Sequence, residues 1–165
     1  MRLERADFLH LVRNGPLVSI DLIVRDAEGR VLVGWRVNRP ARDAWFVPGG
    51  RIYKDERIGL AFERVTAAEL GRARDLSEAR ALGVFEHLYD DNGLDVPGVS
   101  THYVVLAYEL RADDVAPPDA QHSSYRWMTV PELLADAAVH PNTRAYFEAS
   151  PATAPRGSNR LEPAR

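Results

Sequence analysis

The sequence predicts an α+β fold, a mixed-sheet sandwich rather than a doubly wound parallel sheet. Apolar β-rich runs and helical periodicities alternate irregularly along the chain. The runs are joined by turns of hairpin type in place of regular βαβ crossovers. Length completes the frame: 165 residues suit one domain with a core that needs no staples. Cysteine is absent, which excludes a disulfide framework and any thiolate metal site.

Residues 4–13 place Phe8, Leu9, Leu11 and Val12 on one side of a short helix, which Gly15-Pro16 ends. Leu17–Arg25 and Arg30–Trp35 are β-rich and flank an Asp-Ala-Glu-Gly turn, so the pair reads as a hairpin. Asp21 is a carboxylate inside the first of these apolar strands, and simple alternation would turn it to solvent. Residues 36–44 form a polar loop carrying Arg36, Arg39 and Arg42. Trp45–Val47 is a short buried strand that Pro48-Gly49-Gly50 should end with a tight turn. An amphipathic helix then runs from near Glu56 to Gly71. Residues 80–90 and Thr101–Leu110 read as a second strand pair, with a bend at Gly83 and a loop rich in Asn-Gly and Pro-Gly between them. A strand over Ser124–Met128 leads to Thr129, which caps a helix to about Ala135. A last helix near Asn142–Ala149 packs Tyr146 and Phe147. The domain is drawn as 1–149, with 150–165 a disordered tail almost free of large apolar residues.

Net charge is −3 and no basic block occurs, which argues against extended nucleic-acid binding but not against a small anion held by a few arginines. No run approaches the ~18 apolar residues of a membrane span, and the charged start has no signal-peptide core. A cytoplasmic protein with no membrane partner is the expectation.

The chemistry concentrates in Trp45–Gly71, WFVPGGRIYKDERIGLAFERVTAAELG, where a glycine turn leads into a helix that brings a carboxylate back to the turn. This unit resembles the Nudix hydrolase box, which usually ends Arg-Glu-x-x-Glu-Glu-x-Gly. Gly50, Glu56, Arg64, Glu69 and Gly71 match, while two acidic positions are Val65 and Ala68. Those departures, with PLVSIDLIV, NRPARDAWFVPGGR, HLYDDN, THYVVLAYEL and QHSSYRW, resemble the GDP-mannose mannosyl hydrolases over roughly residues 5–147.

The resemblance implies a Nudix-type α/β/α sandwich and hydrolysis of GDP-mannose, or GDP-glucose, by water attack at the sugar C1 with inversion. It implies one divalent cation per subunit, Mg²⁺ or alternatively Mn²⁺, on the Gly49 carbonyl, Glu69 and Gln121. His122 matches the base, and a histidine suits that role because its ordinary pKa is near neutrality. Arg36 and Arg51 match diphosphate contacts, and Asp21 and Tyr103 match substrate contacts, with His87 a further candidate. A homodimer is also implied, with Leu3 or Phe8 offering an apolar group to the nucleobase across the interface. Position 35 is tryptophan where related sequences carry lysine. Residue by residue, ordinary surface arginines, a solvated loop histidine and a Glu69–Arg64 pair at the helix end are the plain alternatives. A Nudix pyrophosphatase cutting a P–O bond is the competing activity, and a non-catalytic nucleotide-binding module is the competing class.

Overall fold

The computed structural model describes residues 3–115 and 122–148, and for 122 and 123 the backbone alone. The expected tail at 150–165 and the domain boundary at 149 lie outside the described residues, as does Gln121.

Strand β1 (Leu17–Arg25) is the spine, buried along nearly its whole length. Its sequence is apolar on both faces because both faces are covered. On one edge it runs parallel to β6 (Thr101–Arg111) from Leu17↔Tyr103 to Arg25↔Arg111. On the other edge it meets β2 (Val31–Arg36) only at Arg25↔Val31. The expected hairpin is therefore just a turn. Beyond it the strands part, and β4 (Gly49–Arg51) takes the vacated edge, pairing Ser19↔Arg51 through Asp21↔Gly49. Strand β2 goes on to pair with β3 (Trp45–Phe46) and β7 (His122–Met128). Strand β5 (Ala79–Tyr89) pairs with β6 as a true hairpin, bulged between Ala81 and Gly83 where the bend was expected. The result is a mixed sheet ordered β3-β2-β1-β6-β5, with β4 on β1 and β7 on β2.

Helix α2 (Ile58–Leu70) packs Phe62, Val65 and Leu70 on Ile20, Leu22 and Val24, and Gly71 ends it in a left-handed conformation (φ 79°). The opposite face, with Ile23, Val31 and Ala107, is covered by Leu133 of α3 (Val130–Ala135) and by Tyr146 and Phe147. Thr129 caps α3 through a reciprocal bond with Glu132. The last helix is shorter than expected. It covers only Pro141–Arg144 (α4), capped by His140 Nδ1 accepting from the Asn142 N–H, and Tyr146 follows it in a turn. Helix α1 (Arg5–Asn14) rests Val12 on Leu17 and Val99. The layers are thus helix, sheet, helix.

One expectation at the glycines is corrected. Gly49 and Gly50 are extended strand residues rather than a tight turn. Glycine is required by crowding. A Cβ on Gly49 would lie 2.6 Å from Asp21 Oδ1 and 2.7 Å from the Ile20 carbonyl oxygen, and one on Gly50 would lie 3.1 Å from Val65 Cγ2.

Candidate active site

Where β4 leaves β1 and α2 passes behind it, a cavity of about 740 Å³ opens. It brings together Asp21, Arg36, Arg51, Glu69, His87 and Tyr103, with Gly49 in its wall and Phe8 contributed by α1. Leu3, the other apolar candidate, is exposed. The backbone of His122 pairs with that of Arg36 at the end of the β2–β7 ladder. Gln121, the expected third metal ligand, is outside the described residues.

The α2 end is organised by paired charges. Arg64 donates from Nε and Nη2 to the two oxygens of Glu56 at 2.7 and 2.8 Å. The same carboxylate accepts the Tyr53 N–H at 2.9 Å, and Arg64 Nη2 also reaches the Arg51 carbonyl at 2.7 Å. Both Glu56 and Arg64 are held charged by this bidentate bond, the carboxyl below its ordinary pKa and the guanidinium above. The helix-end pair of Glu69 with Arg64 is therefore replaced by a Glu56–Arg64 brace, which fixes the backbone on which Arg51 stands. The Arg51 guanidinium lies over the Phe8 ring, 4.1 Å from its centroid.

At the other end the polar groups are buried. Asp21 is only 6% exposed, so the alternation that should have carried it to solvent carries it into the cavity wall. Its pKa is pushed up to about 7, mainly by burial and further by the negative Glu69 nearby, against the Tyr146 hydrogen bond and Arg36. Burial, with His140 adding to it, pushes His87 down to about 4, so its ring is neutral at pH 7. Burial also raises the phenols of Tyr89, Tyr103 and Tyr146. Tyr146 Oη donates to Asp21 Oδ2 at 2.7 Å and lies 3.1 Å from His87 Nε2. In the sequence Tyr146 is a packing residue beside Phe147. A hydroxyl on an otherwise apolar cluster residue was the only available sign.

The donors present suit a hard divalent cation. Leu22 N–H donates to the Pro48 carbonyl at 2.8 Å and Ile52 N–H to the Val18 carbonyl at 2.9 Å. Alternation in the antiparallel ladder then leaves the Gly49 carbonyl turned off the β1 edge. Helix α2 brings Glu69, 3% exposed, into the same cavity. A carbonyl and a carboxylate are the oxygen donors that Mg²⁺ or Mn²⁺ takes. Among the described residues no group of three or more His, Cys, Asp or Glu side chains could hold a metal. The extra carboxylates of the usual box are absent at Val65 and Ala68, both of which line the cavity.

A family model described as "NUDIX domain" matches residues 15–149. The low-salt glycan biosynthesis protein Agl8 of Haloferax volcanii is 43% identical over 141 residues, covering 84% of this chain and 85% of that protein. An RNA pyrophosphohydrolase of Novosphingobium aromaticivorans is 31% identical over 142 residues, covering 79% and 86%. Among solved structures, a MutT NUDIX hydrolase from Burkholderia pseudomallei superposes with a TM-score of 0.67 at 25% identity, covering 82% of this chain and 98% of that one. No helix among the described residues is long and apolar enough to cross a membrane.

Proposed function

The chain belongs to the NUDIX family, and from that premise we propose that this Nudix hydrolase converts GDP-mannose, and GDP-glucose with it, to GDP and free sugar by water attack at the sugar C1 with inversion. One observation carries the reading: Glu69 is the one carboxylate that α2 offers the cavity, while Val65 is 1% exposed behind Gly50 and Ala68 adds only a methyl group. Attack at phosphorus in the ordinary box relies on several carboxylates to gather cations and prepare water. Attack at a sugar carbon with oxocarbenium character needs less from a base and most from stabilising the departing diphosphate.

In this reading Arg36 and Arg51 bind the diphosphate and balance the charge that grows as GDP leaves. The Glu56–Arg64 brace holds the Arg51 backbone in place. Asp21, His87 and Tyr103 orient the sugar and the leaving oxygen from the buried end. His122 takes the proton of the attacking water, and its backbone position opposite Arg36 supports that placement. Bound to the Gly49 carbonyl, Glu69 and Gln121, a Mg²⁺ or Mn²⁺ ion would supply Lewis-acid stabilisation of the leaving diphosphate. Phe8 offers a flat apolar surface for the base. The proposal includes a homodimer, for which the exposed Val84 and Leu88 on edge strand β5, 66% and 71% accessible, offer a surface. The word "glycan" in the name of the 43% identical relative fits a nucleotide-sugar substrate.

Hydrolysis of GDP-mannose in ¹⁸O-water tests substrate and bond together. Label in the free sugar is expected. Label in a phosphate product would replace this reading with the pyrophosphatase one, which the name of the 31% identical relative favours. No metal-dependent turnover across a panel of GDP-sugars would restore the non-catalytic module. Replacing His122 by Gln should slow the reaction by about 10²–10⁴-fold without abolishing it.

A further inference from the structure

We propose that Tyr146 is a positioning residue for the reacting end of the site, acting through Asp21 and His87, and this rests on the functional reading above. Tyr146 does not line the cavity; it stands in the turn after α4, against the sheet face that carries Asp21 and His87. Its hydroxyl has a single proton, and the 2.7 Å contact gives that proton to Asp21 Oδ2. The same oxygen then accepts from His87 Nε2, 3.1 Å away. The chain of donation runs from His87 through Tyr146 to Asp21 and fixes three things at once. Asp21 Oδ2 is occupied, leaving Oδ1 to press toward Gly49. The neutral His87 ring is held as the Nε2–H tautomer, with Nδ1 free to accept. Both side chains are also held from behind, on the side away from the cavity.

The packing around the trio makes this geometry stiff. The Tyr146 ring is edge-on to Phe85 at 4.7 Å between centroids, and His87 is edge-on to Phe46 at 5.9 Å. Asp21 and His87 are both nearly inaccessible to water, so little else can replace the hydroxyl if it is lost. Arg51 has its own supports in the Glu56–Arg64 brace and in Phe8, none of them a member of the trio, while Arg36 is seated over Phe46 and acts on Asp21 through charge alone. Loss of the Tyr146 hydroxyl should therefore disturb turnover and spare the hold on GDP.

Tyr146→Phe removes that oxygen alone. Expected are a fall in kcat of about tenfold or more with GDP-mannose, and KM and GDP inhibition changed less than about twofold, on the premise that diphosphate contacts dominate binding. The ¹⁵N imidazole signals of His87 should shift as Nε2–H loses its acceptor. In Asp21→Asn, adding Tyr146→Phe should cost far less than it does in wild type, because the two changes act on one network. Unchanged kcat with unchanged His87 signals overturns the proposal. So does a loss shared equally between kcat and GDP affinity, or full additivity in the double variant. If wild type turns over no GDP-sugar, the functional reading fails alone, and the His87 signals still decide whether Tyr146 holds the ring. If the phenylalanine variant does not fold, 3-fluorotyrosine in place of tyrosine keeps the hydroxyl with a more acidic proton. The same His87 signals must then move, and their standing still overturns the proposal.

Discussion

At the α2 end of the cavity, Arg64 meets Glu56 eight residues away in the chain. At the other end, Tyr146 meets Asp21 across 125 residues and His87 across 59. The first end is held by opposite charges that stay ionised, and the second by buried groups that burial drives toward neutrality. The contrast suits a substrate with a highly charged diphosphate at one end and an uncharged sugar at the other. It also separates what a local motif can encode from what only the assembled sheet can provide.

The sharpest way to break the charged end is Glu69→Gln, which should lower kcat by about three orders of magnitude, several kcal/mol of lost charge stabilisation. Calorimetric titration with Mn²⁺ should show cation binding lost in parallel, and unaltered Mn²⁺ affinity would count against Glu69 as a ligand. Gly49→Ala comes next, because the added methyl would sit 2.6 Å from Asp21 Oδ1 and 2.7 Å from the Ile20 carbonyl. Strand β4 must shift, at about 1–3 kcal/mol in denaturant unfolding and with about a hundredfold loss of activity. Full activity in that variant would mean the Gly49 carbonyl has no role. Glu56→Gln leaves the Arg64 cation with a weaker partner, and a cost of about 1–3 kcal/mol is expected. Its kinetic signature should be a raised KM, since Arg51 loses its footing while the buried end is untouched.

The buried end also shows itself in stability alone. Asp21 titrates near 7 in the fold against an ordinary 3.8. Between those values the folded state keeps a proton that the unfolded chain has released, so this group's contribution falls as pH rises from about 4 to about 7. His87 works the other way. Its folded pKa of about 4 lies below the ordinary 6.5, so stability is lost as pH falls through that window. The two slopes oppose each other between about pH 4 and 6.5 in wild type. Asp21→Asn removes the first, so its stability advantage over wild type should be near zero at pH 4 and grow toward pH 8, with an upper bound of about 4 kcal/mol. Melting temperatures of the two proteins across that range measure it. A difference independent of pH would mean that Asp21 is ionised throughout.

The same contrast explains what could be read from the sequence. Glu56, Arg64, Glu69 and the glycines stand at fixed spacings within one strand–helix unit, so pattern alone located them, together with the helix that ends at Gly71 and the strand pair β5–β6. Periodicity could not see which strand takes which edge. The β1–β2 hairpin was expected from its turn and is limited to Arg25↔Val31, because β4, only three residues long, claims the edge beside Asp21. That insertion also turned a predicted glycine turn into a strand. Asp21 was singled out as odd, but its burial depends on β4, His87 and Tyr146, none of which adjoins it in sequence. Tyr146 carries no local mark beyond its hydroxyl, and nothing in its neighbourhood in the sequence says what that hydroxyl meets.

The 125-residue reach from Asp21 to Tyr146 also bears on the order in which this protein acquires its site during synthesis. Strand β1 emerges early, but its parallel partner β6 follows only after β2 to β5 and α2 have been made. Contacts this remote form slowly, because a long loop must close before they are rewarded. A nascent chain halted after α3 would hold the whole Trp45–Gly71 unit and its arginines while lacking the hydroxyl that joins Asp21 to His87. On the proposed function, binding of the diphosphate would then precede the ability to turn it over, with the turn after α4 supplying the last piece.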